Sequence, residues 1–228
     1  SGNTINIAST PFSNISFAAA TLSGTDPMAA GGVKTIEVAP VAGEIVINQF
    51  NPAYSGPGDE YIELVNKTNK SFDLSLMRIF YQSASGSGGS TLGTLSGIIP
   101  PYGYWLLSTN ATVTVGLTNS LAADNVIGGG FAAGSGQFAL QVISTGAVID
   151  ALGYGSLSGG TLYEGTAAVT PNSPANSGLK RNESDDTNNN SADFSLVPVA
   201  NIDLRNSSSR LAQAGSTVAA GTYTRLVV

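Results

Sequence analysis

No cysteine and no histidine occur among the 228 residues. Their absence removes disulfides, a thiol nucleophile, the commonest general base and every soft or imidazole metal ligand. Charge is scarce as well: 11% of residues are Asp, Glu, Lys or Arg, less than half the usual share. Nine basic residues against fifteen acidic ones give a net charge of −6. That balance offers a phosphate backbone no footprint, so no nucleic-acid partner is expected. No apolar run approaches the roughly 20 residues of a membrane-spanning helix, so no membrane span is expected either. A Lys/Arg-headed leader is also missing, and the expectation is a mature, exported chain.

What is present is apolar mass and neutral polarity. With 42% hydrophobic residues the chain can bury a large core, while its polar surface must come mainly from Ser, Thr and Asn. That composition fits an extracellular or cell-surface protein. Helical periodicity is almost absent. Short runs rich in Val, Ile, Phe and Tyr recur between Gly, Pro, Asn and Ser, which predicts an all-β fold. Strands are expected at NTINIAS, NISFAAAT, VKTIEVAP, GEIVINQFN, DEYIELVN, MRIFYQS, GYWLLST, QFALQVIS, AVIDALGYG and GTYTRLVV. Residues 83–97 and 171–193 are expected to be flexible loops.

The strand EYIELV puts Ile62 and Leu64 on an inward face and predicts that Glu63 faces outward beside Tyr61. QFALQVIS alternates in the same way, as expected of a sandwich strand with one buried and one wet face. Trp105, the only tryptophan, is expected to plug the core.

Five segments in order, GEIVINQFNP, GDEYIELVNKTNKSFDLSLMRIFYQ, IIPPYGYWLLS, GQFALQVISTGAVIDALGYG and GLKRNESDDTNNNSADFSLVP, resemble the lamin-tail domain of secreted bacterial proteins. The resemblance runs from about Gly43 to Pro198. Its most specific piece is EYIELVN followed by a short turn and DLS. It implies an immunoglobulin-like β-sandwich whose known roles are non-catalytic: an interaction domain in nuclear filament proteins and an accessory module on bacterial surface proteins and extracellular enzymes. No catalytic residues carry over. The usual DLSGW turn here reads DLSLMRIF, so Leu76 and Met77 stand at the Gly-Trp positions. The expected organisation is a strand-forming arm at 1–42, the sandwich at 43–205 and a further strand extension at 206–228.

The acids of GDEYIELVN do not read as a catalytic pair. Two carboxyls that cleave a glycosidic bond face each other across about 5–9 Å, whereas Glu60 and Glu63 point to opposite faces of one strand. Solvated or ion-paired roles are expected, one version being a partly buried bridge from this strand to Arg181. In ESDDTNNNSAD, Glu183, Asp185, Asp186, Asn188, Asn190 and Asp193 crowd oxygen donors into one loop. Ca²⁺ takes six to eight such oxygens, though the EF-hand spacing is absent. Two readings stand: a calcium site built from Asp185, Asp186, Asn188, Asn190 and Asp193, or an Asx-turn loop whose side chains cap its own backbone. No other cofactor is required.

No histidine activates any serine, Lys34, Lys67, Lys70 and Lys180 sit in no suggestive motif, and GGGFAAGSG lacks the Lys-Ser/Thr of a phosphate loop. The chain is therefore not expected to be an enzyme. Asn14, Asn66, Asn69, Asn110, Asn182, Asn189 and Asn206 begin N-x-Ser/Thr sequons, so surface glycans depend on the host.

The arm carries the functional expectation. Apolar β-forming segments template pairing, and Ile5, Ile7, Ile15, Phe17 and Leu22 supply such segments within residues 1–24. The expected function is a self-assembling filament, tube or layer, a homopolymer joined by donation of this strand to the next subunit. The alternative is a monomeric carbohydrate- or protein-binding module, with an aromatic surface drawn from Tyr102, Tyr104 or Tyr163.

Overall fold

A computed structural model of the chain describes residues 22–25, 33–37, 39–52, 60–115, 120–171, 177–182 and 186–209. Its strands begin with β1 (Leu22–Thr25), β2 (Val33–Glu37), β3 (Ile45–Asn51), β4 (Tyr61–Asn66), β5 (Ser71–Asp73), β6 (Met77–Ser83), β7 (Ser90–Thr94) and β8 (Ile98–Ile99). They continue with β9 (Tyr104–Ser108), β10 (Thr112–Val113), β11 (Leu121–Ala122), β12 (Asn125–Val126), β13 (Gly136–Val142), β14 (Val148–Tyr154), β15 (Ser177–Arg181) and β16 (Phe194–Pro198). A single helical turn, α1 (Asn190–Asp193), precedes β16.

Two sheets face each other. One runs β12-β9-β4-β3-β15-β16 and the other β14-β13-β6-β7. Between them lies the main core, with Ile45, Ile47, Ile62 and Leu64 from the first sheet against Met77, Ile79, Leu140 and Leu152 from the second. Phe50 anchors one end, its ring centroid 4.8 to 5.2 Å from those of Phe138, Tyr154 and Phe131. Trp105 belongs to this core at 8% exposure, and its Nε1 donates to Asn125 Oδ1 at 2.8 Å. At the DLSLM turn, Asp73 Oδ1 accepts from the Ser75 amide and Met77 is fully buried, filling the position where the family pattern has an aromatic.

A third sheet, β1-β2-β5-β8, is built partly from the arm. β1 pairs antiparallel with β2, and β2 pairs in parallel with β5 through Ile36↔Ser71 and Glu37↔Phe72. Residues 33–37 of the expected strand-forming arm thus pair with β5.

The expected wet faces are covered, which corrects the reading of both alternating strands. Every residue of β4 and β13 is buried. The alternation holds, with Ile62 and Leu64 in the main core. On the reverse face Tyr61 packs with Leu106, Val113, Val115, Ile202 and Leu204. The segment that follows β16 lies across the outside of the six-stranded sheet and turns its polar face into a second interior. Behind β13, Leu162 and Phe80 cover Ala139, and Gln137 is pinned by Ser83 O, Gly159 O and the Leu162 amide. The two expected loops are also corrected: residues 83–97 contain β7, and residues 171–193 contain β15, an interior strand between β3 and β16.

Candidate functional site

The β3/β15 ladder pairs only Phe50↔Leu179 and Gln49↔Lys180, beside a register shift between Ile47 and Gln49. A bulge leaves backbone groups without ladder partners, and here a buried ion pair takes them. Asp150 Oδ2, reaching across from β14, accepts from the Ile47 amide at 2.5 Å, while Arg181 Nε donates to the Ile47 carbonyl at 2.8 Å. Arg181 Nη2 and Asp150 Oδ2 lie 2.9 Å apart, with side chains 3% and 0% exposed. The pair therefore joins the two sheets through the irregular point of β3.

The guanidinium is surrounded. Nη1 reaches Asp186 Oδ1 and Asp193 Oδ2, each at 3.3 Å, and Phe194 stacks with the group at 4.6 Å. The expected bridge from Arg181 to the β4 strand is not made. Its partners are Asp150, Asp186 and Asp193, because β15 presents Arg181 to the gap between the sheets while Glu63 lies on the outer face.

The carboxyls around Arg181 are far from ordinary. Burial raises that of Asp150, opposed by Arg181 and the Ile47 amide and reinforced by Asp186. The Ala151 amide also favours its charged form, yet Oδ1 accepts no hydrogen bond. Glu164, half-buried, is raised by burial and then by Asp150 and Asp186, against the pull of Arg181.

Most donors of the expected calcium loop are committed to the protein itself. Asp193 accepts from the Thr187 amide and hydroxyl, the Asn189 amide and Arg181. Asn190, fully buried, takes the Gly153 and Glu164 amides on Oδ1 and gives Nδ2 to the Ala151 carbonyl. Asn190 therefore fastens α1 to β14, while Asp193 ties α1 to Arg181 and to the backbone just before it. Asp186 Oδ1 serves Arg181 and the Asn188 amide, and Asn188 stands exposed at φ 56°. Asp185 and Glu183 lie outside the described residues. The sequence singled out neither Asp150 nor Glu164. The signal for Asp150 was a lone carboxylate inside the apolar strand VIDAL.

On the other side of the six-stranded sheet, Glu63 is fully buried rather than solvated, because residues 202–207 cover it. Its Oε1 accepts from Asn48 Nδ2 at 2.5 Å and Gln49 Nε2 at 3.1 Å, and its Oε2 from the Arg205 amide at 2.5 Å. Burial raises its pKa against those donors and the Arg205 charge. Glu60, at the start of β4, caps the Gly130 amide through Oε2 at 3.0 Å. Asp59 lies outside the described residues, and Glu60 and Glu63 do not converge on a cleft. Tyr104, expected on an aromatic surface, is buried beneath Arg205, whose guanidinium stacks on its ring at 4.5 Å. Among the sequons, Asn66 is buried with Nδ2 given to the Lys70 and Pro100 carbonyls, so it is closed to a glycan, whereas Asn69, Asn110 and Asn182 are exposed.

The Lamin Tail Domain family model matches residues 39–156, more than half of the chain. The chain belongs to the lamin tail domain family. Its two packed sheets are the immunoglobulin-like β-sandwich of that family. The matched span runs from the approach to β3 to the end of β14, so this lamin tail domain receives Arg181, α1 and the covering segment 202–207 from beyond it. No curated protein matches the chain.

Of the expected assembly residues, Ile5, Ile7, Ile15 and Phe17 lie outside the described residues. Leu22 is placed in β1, opposite Ile36 of the same chain. Leu22 is therefore paired within its own chain, to β2. Among the described residues the outer edge of β1 pairs with no strand. No helix among them is long and apolar enough to cross a membrane.

Proposed function

We propose that this lamin tail domain is a non-catalytic, extracellular structural subunit that polymerises into a surface filament, tube or layer by β-strand donation. The observation carrying the reading is the edge of β1, which among the described residues ends its sheet, directly after the strand-forming sequence of residues 1–21. An unpaired edge carries a row of free amides and carbonyls and accepts a further strand. Residues 1–21 of one subunit are the donor, and the β1 edge of the next is the acceptor. Because donor and acceptor are different surfaces, the contact is heterologous and propagates unless it closes into a ring.

The non-catalytic reading is supported by the way the acids are used. Asp193, Glu63 and Glu60 are occupied by amide, hydroxyl and guanidinium donors, and the sequence holds no histidine or cysteine. Light scattering and negative-stain electron microscopy of the full chain, with and without residues 1–21, test the proposal. The full chain is expected to form extended particles and the shortened one a monomer. A full chain that stays monomeric across concentration, or a shortened chain that still polymerises, would reject it.

A further inference from the structure

Three carboxylates share one guanidinium, and a fourth lies beside them. Asp150, Asp186 and Asp193 are ion-paired to Arg181, and the carboxyl of Glu164 feels all three acids as well as the arginine. The group is therefore short of positive charge. Within it, Asp150, Glu164 and Asp186 each bring an oxygen to within 4.8 Å of the other two. Oxygens bound to one ion at 2.3–2.6 Å lie at most about 5 Å apart, so a single cation can reach all three.

An independent observation points to the same place. Asp150 is fully buried and its Oδ1 accepts no hydrogen bond, although Oδ2 of the same carboxyl is taken by the Ile47 amide and Arg181. A carboxylate oxygen left bare in a dry interior is strongly unfavourable and calls for a proton or a cation. Asp186 commits Oδ1 to Arg181 and the Asn188 amide, while its Oδ2 lies over Gly43, 3.9 Å from where a β-carbon would stand. Glu164 and Asp186 are both half-buried, which leaves the group a side open to water.

We propose that Asp150, Glu164 and Asp186 bind one hard divalent cation, Ca²⁺, beside Arg181. The donors are all oxygen, which excludes the thiol- and imidazole-seeking metals. Three carboxylates from three separate segments make an irregular cage that water completes, a geometry calcium accepts and magnesium, with its near-ideal octahedron, disfavours. The site differs from the loop site the sequence predicted: it uses Asp186 of that set, leaves Asn190 and Asp193 to their own hydrogen bonds, and draws Asp150 and Glu164 from elsewhere. Bound there, the ion ties β14, the segment carrying Glu164 and Asp186 into one unit.

Isothermal titration of the full chain with CaCl₂, after removal of metal with EDTA, tests the inference, and binding is scored whether or not the chain polymerises. The expected result is saturable binding of about one ion per chain, with a melting temperature that rises with calcium, as ligation of the folded state requires. Glu164→Gln, at the half-exposed rim, should fold by circular dichroism and bind at least tenfold more weakly. Asn188→Gly, which suits the positive φ and removes a ligand of the predicted loop site, should bind as the parent does. A flat titration overturns the proposal. So does parental affinity in both Glu164→Gln and Asp186→Asn, or loss of binding in Asn188→Gly.

Discussion

Removing Arg181 does more than delete an ion pair. Its guanidinium neutralises Asp150 inside the core and also occupies the Ile47 carbonyl, so Arg181→Ala strands a buried charge and a backbone acceptor together. Breaking a buried pair from one side costs about 3–5 kcal/mol, and urea unfolding should show a loss of that size. Lys70→Ala is the control: its partner is Glu44, its side chain is 40% exposed, and a pair of that kind is worth about 0–1 kcal/mol. Glu63 is the second sensitive residue. Donors from Asn48, Gln49 and Arg205 converge on its two oxygens, so Glu63→Gln turns an amide NH₂ toward at least one of them. Unfolding free energy should fall by about 1–3 kcal/mol. The pH dependence adds a sign. Burial raises the folded carboxyl above its ordinary value of 4.5, so above that pH the folded state keeps a proton the unfolded chain has released. Stability from Glu63 is full below 4.5 and declines as pH rises through the raised value. The deficit of Glu63→Gln should therefore narrow over that interval in urea melts run at a series of pH values. Tyr61 and Tyr104 face the same carboxyl, and burial raises both phenols above their ordinary range.

At the scale of elements, the covering segment after β16 is held by Ile202 and Leu204 on Tyr61 and Leu106, with the Arg205 amide on Glu63 and the Ser207 amide on Asp124. Ile202→Ala and Leu204→Ala should each cost about 2–5 kcal/mol, measured by urea unfolding, as large-to-small changes in a closed interior do. The pattern of residues 202–207 gives little notice of this role: Ile202 and Leu204 alternate with Asp203 and Arg205, but only over these four residues. That is why β4 was read as half wet. Alternation tells which side chains share a face, but not whether something later in the chain covers it. The strands that alternate over seven residues, such as β13, were legible from sequence. β15 was not, because SGLKR offers one aliphatic and sits among Asn, Ser and Pro. Arg181 was legible as half of an ion pair. Its partner was not, since choosing Asp150 over Glu60 or Glu63 depends on where the β3 ladder stops. At the edge of β1, lysine is the residue that blocks further pairing. Ser23→Lys with Thr25→Lys should shorten or abolish polymers in micrographs while leaving the unfolding transition of the domain in place.

At the scale of the whole molecule, the span that defines the family is not the span that is self-sufficient. Residues 39–156 supply most of the two facing sheets, including Asp150 and Glu63. The groups that settle those acids come later: Arg181 is 134 positions beyond Ile47, and Arg205 is 142 beyond Glu63. A fragment cut at the family boundaries would carry two interior acids without their partners and a β3 edge stripped of β15. During synthesis the same arithmetic imposes an order. The emerging polypeptide can collapse early, but it has no reason to lock until Arg181 and residues 202–207 have left the ribosome. A keystone placed so far along the chain from the residues it locks is a built-in delay.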